Sequence, residues 1–148
     1  RAETLRSGTD IAILALGSMV LAAERAADRL AAEGISATVV NARFAKPLDE
    51  RQILELASSC GGIVTVEENV RAGGFGSAVL ELLNARNIAA PARVLAIPDR
   101  VFEQASQGRL REIAGLSAVD IALTARTLVV GRPRHENAAT LAAEGAVG

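Results

Sequence analysis

Two adjacent carboxylates, Glu67 and Glu68, follow the apolar run Ile63-Val64-Thr65-Val66. The carboxyl end of a buried parallel strand is where open α/β sheets hold their ligands. Two carboxylates do acid–base work when they share one site. Adjacent strand residues point to opposite faces, so this pair is not set for such work. One of them could pair with Arg71, or accept N–H bonds from a neighbouring loop. Asn69 continues the same segment.

Gly73-Gly74-Phe75-Gly76 comes next and opens a helix. Free N–H groups and the dipole at such a start favour anions, so Gly73, Gly74 and Gly76 form a candidate weak anion site. The spacing is neither a dinucleotide fingerprint nor a P-loop, and a tight turn explains the glycines equally. Arg43 and Lys46 follow another strand end, where they could bind an anion or form an inter-domain salt bridge. Arg43, Lys46, Glu67, Glu68, Asn69 and Arg71 are therefore the candidate inter-domain interface, expected to gather at the carboxyl edge of a sheet.

The remaining reactive types offer little. His135 is the one histidine and lies in a polar stretch with no rigid support. Cys60 stands at a helix C-terminus, which raises a thiol pKa. No residues have metal-ligand spacing. The reading assigns no catalytic, cofactor or metal residue to this chain.

The elements that position these groups alternate. Residues 3–6 read as a short edge strand followed by a turn. Ile11–Leu16, Ala37–Val40, Ile63–Val66 and Val94–Ile97 are short apolar runs, the mark of strands buried on both faces. The expectation is that these four are central, with a first hairpin adding residues 3–6 as an antiparallel edge. Helices fall between them. The first has Ser18 as N-cap and Gly34 as C-cap. The second has Asp49 as N-cap with Gln52 at the capping-box position. A third follows Gly76. Two more are expected near 109–114 and 117–129, the latter with Ser117 as cap and Asp120 three residues on. The order predicts an α/β fold: a mainly parallel five-stranded sheet, one antiparallel edge strand, helices on both faces. The domain spans 1–130, and 131–148 reads as a poorly ordered tail.

Composition narrows the class. The 148 residues suit one domain, and half are hydrophobic with only three Phe and no Trp or Tyr. The core must be aliphatic. A net charge of −1 and the scarcity of aromatics exclude a nucleic-acid binder. No apolar run is long enough to span a membrane, and no secretory signal is visible. One cysteine favours a reducing cytoplasm. A start at Arg1 rather than Met suggests a fragment, a processed product or part of a larger polypeptide.

Three segments carry a resemblance. Asn41-Ala42-Arg43-Phe44-Ala45-Lys46-Pro47-Leu48-Asp49 is similar to the Arg-Phe-x-Lys-Pro-Leu-Asp segment of 1-deoxy-D-xylulose-5-phosphate synthases. Thr65-Val66-Glu67-Glu68-Asn69 with Gly73-Gly74-Phe75-Gly76-Ser77 resembles their Thr-Val-Glu-Glu-Asn and Gly-Gly-x-Gly-Ser segment. Ile97-Pro98-Asp99-Arg100 with Gly115-Leu116-Ser117-Ala118 resembles their Leu-Pro-Asp and Gly-Leu-Asp-Ala positions. Order and spacing agree across about residues 3–130. Each segment alone is shared with other transketolase-like C-terminal domains.

The resemblance implies a three-domain homodimer that condenses pyruvate with glyceraldehyde 3-phosphate and releases carbon dioxide, on the route to isoprenoid precursors. It implies thiamine diphosphate and magnesium, bound between the first two domains and outside this chain. It implies a role in bracing the upstream domains and the homodimer partner, with this chain inactive alone. Two other readings stay open. One is the C-terminal domain of a 2-oxo-acid dehydrogenase beta subunit. The other is an independent small-molecule-binding regulatory module.

Overall fold

The computed structural model describes residues 1–70, 74–97 and 116–130. The strands are β1 (Glu3–Arg6), β2 (Ile11–Ala15), β3 (Ala37–Asn41), β4 (Ile63–Val70) and β5 (Ala92–Ile97). The helices are α1 (Val20–Ala32), α2 (Glu50–Ser59), α3 (Phe75–Ala85) and α4 (Ala118–Val130), with a single 3-10 turn at Gly17–Met19. The sheet order is β1-β3-β2-β4-β5. β2, β3, β4 and β5 run parallel, and β1 runs antiparallel to β3.

Alternation along each strand builds two cores. Ile11, Ile13, Val39, Val64 and Val66 face α1 and α4. Ala12, Leu14, Val40 and Ile63 face α2 and α3. Buried aliphatic side chains of this kind each contribute about 1.5–3 kcal/mol. α1 presents Ala23, Ala26, Ala27 and Leu30 inward, a stripe of small residues that lets the helix lie close to the strands.

The helix ends follow local chemistry. Asp49 Oδ1 accepts the Gln52 N–H at 3.3 Å and caps α2. The Gln52 amide turns instead to Thr4 Oγ1 at 2.7 Å, so only half of the expected capping box forms. The Ser117 hydroxyl accepts the Asp120 N–H at 3.2 Å and donates to its carboxylate at 2.6 Å. Gly34, at φ +79°, closes α1 with the Ile35 N–H on the Leu30 carbonyl and its own N–H on Ala31.

Three expectations are corrected. β1 and β2 do not form a hairpin, because β3 lies between them. β2 is buried on both faces and takes a parallel neighbour on each side. The link from β1 crosses the start of β3, where Thr38 Oγ1 accepts the Gly8 N–H at 2.8 Å and donates to its carbonyl at 2.7 Å. Val94–Ile97 forms part of β5 at the far edge, not a central strand. It is apolar because helices flank it on both faces. Ser18 is not an N-cap: it lies in the 3-10 turn, and α1 starts from Met19 without a side-chain cap. The helix expected near 109–114 and the tail 131–148 lie outside the described residues.

Candidate functional site

The carboxyl edge of the sheet is built by the ends of β2, β3 and β4. Of its described titratable groups, Glu67 is the most enclosed, at 0 % exposure. It continues the β4 alternation beyond Val66 and so turns toward α3. Its Oε2 accepts the Phe75 N–H at 2.8 Å, and its Oε1 accepts the Gly76 N–H at 2.9 Å. α3 has no cap from its own N-cap residue, Gly74. Glu67 supplies that cap from the neighbouring strand and sets a negative charge on the positive end of the helix dipole.

The glycine-rich segment is explained by the same contact. A Cβ at Gly76 would stand 2.5 Å from Val94 Cγ1 and 2.6 Å from Thr65 Oγ1. Only hydrogen at this position lets α3 rest on β4 and β5. Of the candidate anion site, the Gly76 N–H, together with that of Phe75 beside it, is thus bonded to a carboxylate of the protein itself. Gly74 is half-buried beside them, and Gly73 falls outside the described residues.

Glu68 faces the other way, as adjacent strand residues must. Its Oε2 accepts the Ser18 hydroxyl. This bond joins the turn after β2 to the end of β4, where the direction of strand addition reverses. Such a reversal opens the ligand crevice of many doubly wound sheets. Here a side-chain bond spans it.

Arg43 does not join the glutamates. β2 separates β3 from β4, which sets the two strand ends about 10 Å apart. Arg43 instead pairs with Glu3 of β1 at 2.7 Å, both side chains being half exposed. Its φ of +61° is an uncommon backbone state for a residue with a side chain, and its N–H donates to Asn41 Oδ1 at 3.0 Å. Lys46 is exposed in the same loop. Asn69 lies within β4, and Arg71 lies outside the described residues. So does His135.

Cys60 closes α2 and is 8 % exposed. Burial pushes its thiol up, which leaves it protonated and unreactive at neutral pH. Among the described residues, no three His, Cys, Asp or Glu stand where they could hold a metal ion. A diphosphate cofactor needs a metal and free anion-binding N–H groups. The Phe75 and Gly76 N–H groups at the α3 start do not fit it, since Glu67 already holds them.

Sequence reasoning missed one feature. The loop after β3 borders a shallow cleft between β3, α2 and the start of α3. Phe44 stands on its rim at 59 % exposure. The signal was one of only three phenylalanines, set between Arg43 and Lys46 in a loop.

Residues 1–121 match the family described as "Transketolase, C-terminal domain". The chain is 58% identical over 128 residues to a 1-deoxy-D-xylulose-5-phosphate synthase of Thermomicrobium roseum, covering 86% of this chain and 20% of that protein. It is 53% identical over 128 residues to the synthase of Heliobacterium modesticaldum, with the same coverage. Among solved structures it is similar to a split-gene transketolase described as an inactive beta4 tetramer. There the TM-score is 0.81 and the identity 37%, over 88% of this chain and 42% of that one. Transketolase of Pichia stipitis aligns at a TM-score of 0.63 and 21% identity, over 88% and 18%, a likeness of fold alone. The chain spans about a fifth of the length of the curated relatives it matches. No helix among the described residues is long and apolar enough to cross a membrane.

Proposed function

The chain belongs to the transketolase C-terminal domain family, and from that membership we propose that it is the C-terminal domain of a 1-deoxy-D-xylulose-5-phosphate synthase. The complete enzyme condenses pyruvate with glyceraldehyde 3-phosphate and releases carbon dioxide. The observation that carries this reading is the 58% identity to one such synthase across 86% of the chain. Thiamine diphosphate and magnesium supply the chemistry from the rest of the polypeptide. This chain braces those upstream domains and the homodimer partner, and by itself catalyses nothing. The single cysteine supports a cytoplasmic setting.

The geometry supports a bracing role. Glu67, the most enclosed carboxylate among the described residues, is committed to a helix end rather than to a substrate. Decarboxylation of pyruvate needs an electron sink that amino-acid side chains do not provide. The related split-gene transketolase assembly, described as inactive, is consistent with a chain that needs its companions.

The test is the full-length polypeptide that contains this chain, supplied with pyruvate, glyceraldehyde 3-phosphate, thiamine diphosphate and Mg²⁺. The expected result is 1-deoxy-D-xylulose 5-phosphate and carbon dioxide in equal amounts. Failure to form the sugar phosphate would sink the synthase reading.

A further inference from the structure

β1 takes little part in either core. Glu3, Thr4 and Leu5 are exposed, and none of Glu3–Arg6 belongs to the buried clusters on the two faces of the sheet. Its ladder to β3 is irregular as well, with a shift of register between Thr4 and Arg6. A segment with so few buried apolar contacts lies at the low end of local stability.

Three consecutive residues at its start nevertheless hold the connection from β3 to α2, each at a different point. The Ala2 N–H donates to Asp49 Oδ2 at 3.3 Å. Glu3 Oε2 accepts from Arg43 Nη2 at 2.7 Å. Thr4 Oγ1 accepts from the Gln52 amide at 2.7 Å. Arg43 lies just past the end of β3, while Asp49 and Gln52 stand at the cap and first turn of α2. The connection is therefore gripped at both ends by one short strand.

The shape so held is not one the chain takes freely. Arg43 has φ +61°, a state that few residues with a side chain adopt. Across it the Phe44 N–H donates to the Ala42 carbonyl at 2.7 Å, and three-residue turns with a positive central φ are rare and strained. Two groups fix Arg43 there. Its N–H donates to Asn41 Oδ1 at 3.0 Å, and its guanidinium donates to Glu3. Glu3 lies opposite Asn41 in the ladder, so both holds come from the same rung of β1 and β3. Strained backbone persists only where its surroundings over-determine it, and such places gather at clamps and switch regions. An exposed ion pair alone shifts an equilibrium by at most about fivefold, so the grip is the set of contacts rather than any one of them.

We propose that β1 is a strap. Its first residues clamp the connection 42–49 into the shape that projects Arg43, Phe44 and Lys46, all three exposed, from the carboxyl edge of the sheet. Lifting β1 releases that connection while both cores stay packed. The device lies wholly within this chain, and it does not depend on which reaction the full-length polypeptide performs.

The test is hydrogen–deuterium exchange, read by mass spectrometry, on the full-length polypeptide that contains this chain. A double variant, Glu3→Thr with Thr4→Val, removes both side-chain holds and keeps a good strand former at each position. Peptides that cover residues 42–49 are expected to exchange at least about threefold faster than in the parent, the scale of one ion pair and one hydrogen bond lost. Peptides that cover α1, β2 and α3 are expected to keep the parent rate. A smaller change in 42–49 would overturn the proposal. So would an equal acceleration in α1, β2 and α3, because β1 would then support the whole domain rather than the connection alone. Charge reversal separates the Glu3–Arg43 contact from a general effect of altering β1. Glu3→Arg alone is expected to loosen 42–49, and Arg43→Glu added to it is expected to restore the parent rate. Fast exchange that persists in the double reversal would contradict the strap.

Discussion

Glu67 and Phe44 stand near the same edge of one sheet, and each is in the environment expected of the other. The carboxylate is fully buried, and the aromatic ring is 59 % exposed. Glu67 tolerates burial because two backbone N–H groups and the end of α3 meet its charge. Phe44 has no such account among the described residues. The difference teaches that the polar groups of this edge hold the domain together, while its unspent apolar surface points outward. A catalytic site shows the reverse: polar groups left poised, and apolar walls closed around them.

Breaking the inner half of that contrast should have the largest effect. Glu67→Leu leaves two buried N–H groups unpaired and removes the anion from the α3 dipole. The expected loss is about 3–5 kcal/mol of unfolding free energy, read by urea denaturation of residues 1–148. A loss below about 1 kcal/mol would mean that the contact holds nothing. Gly76→Ala comes next. Its methyl group meets Val94 and Thr65 side chains at 2.5–2.6 Å, and overpacking of that kind costs about 2–3 kcal/mol. The same denaturation measurement reads it.

Cys60 gives a smaller, pH-dependent effect. Burial raises its thiol pKa, so the folded chain holds this proton more tightly than the unfolded chain does. That stabilisation is fully present below the ordinary thiol value of about 8.5. It is lost as pH rises through the folded value. The Cys60→Ala variant should lose less stability than the parent between neutral and alkaline pH. An equal decline in both would remove Cys60 as the cause.

The outer half should be nearly silent in isolation. Phe44→Ser in residues 1–148 is expected to change stability by less than about 0.5 kcal/mol, as for other exposed positions. The same substitution in the full-length protein should lower its thermal midpoint measurably. Equal effects in the two settings would erase the contrast between Glu67 and Phe44.

What was legible in the sequence was local. Asp49, Ser117 and Gly34 act on residues within one helical turn, and their roles follow from spacing. The buried strands were legible because runs apolar on both faces have few other homes. What stayed hidden depends on partners far along the chain. An apolar run reports that both faces are covered, not which strands lie beside it, so Val94–Ile97 read as central although it lies at an edge. The pairing of β1 with β3 rather than β2 has the same origin. Ser18 meets Glu68 across 50 residues, and no local rule reports that. The candidate site was half legible. That Glu67 and Glu68 point apart followed from strand geometry, and accepting N–H bonds was one of the options foreseen. That the N–H groups belong to the glycine-rich helix start required the fold.

The most direct measurement of the central claim is calorimetric titration of thiamine diphosphate, with Mg²⁺ present, into residues 1–148 and into the full-length protein. A domain that braces but does not catalyse should give no binding heat for residues 1–148 and saturable binding for the full-length protein. Micromolar binding by residues 1–148 alone would contradict the account, because the Phe75 and Gly76 N–H groups at the α3 start are already held by Glu67.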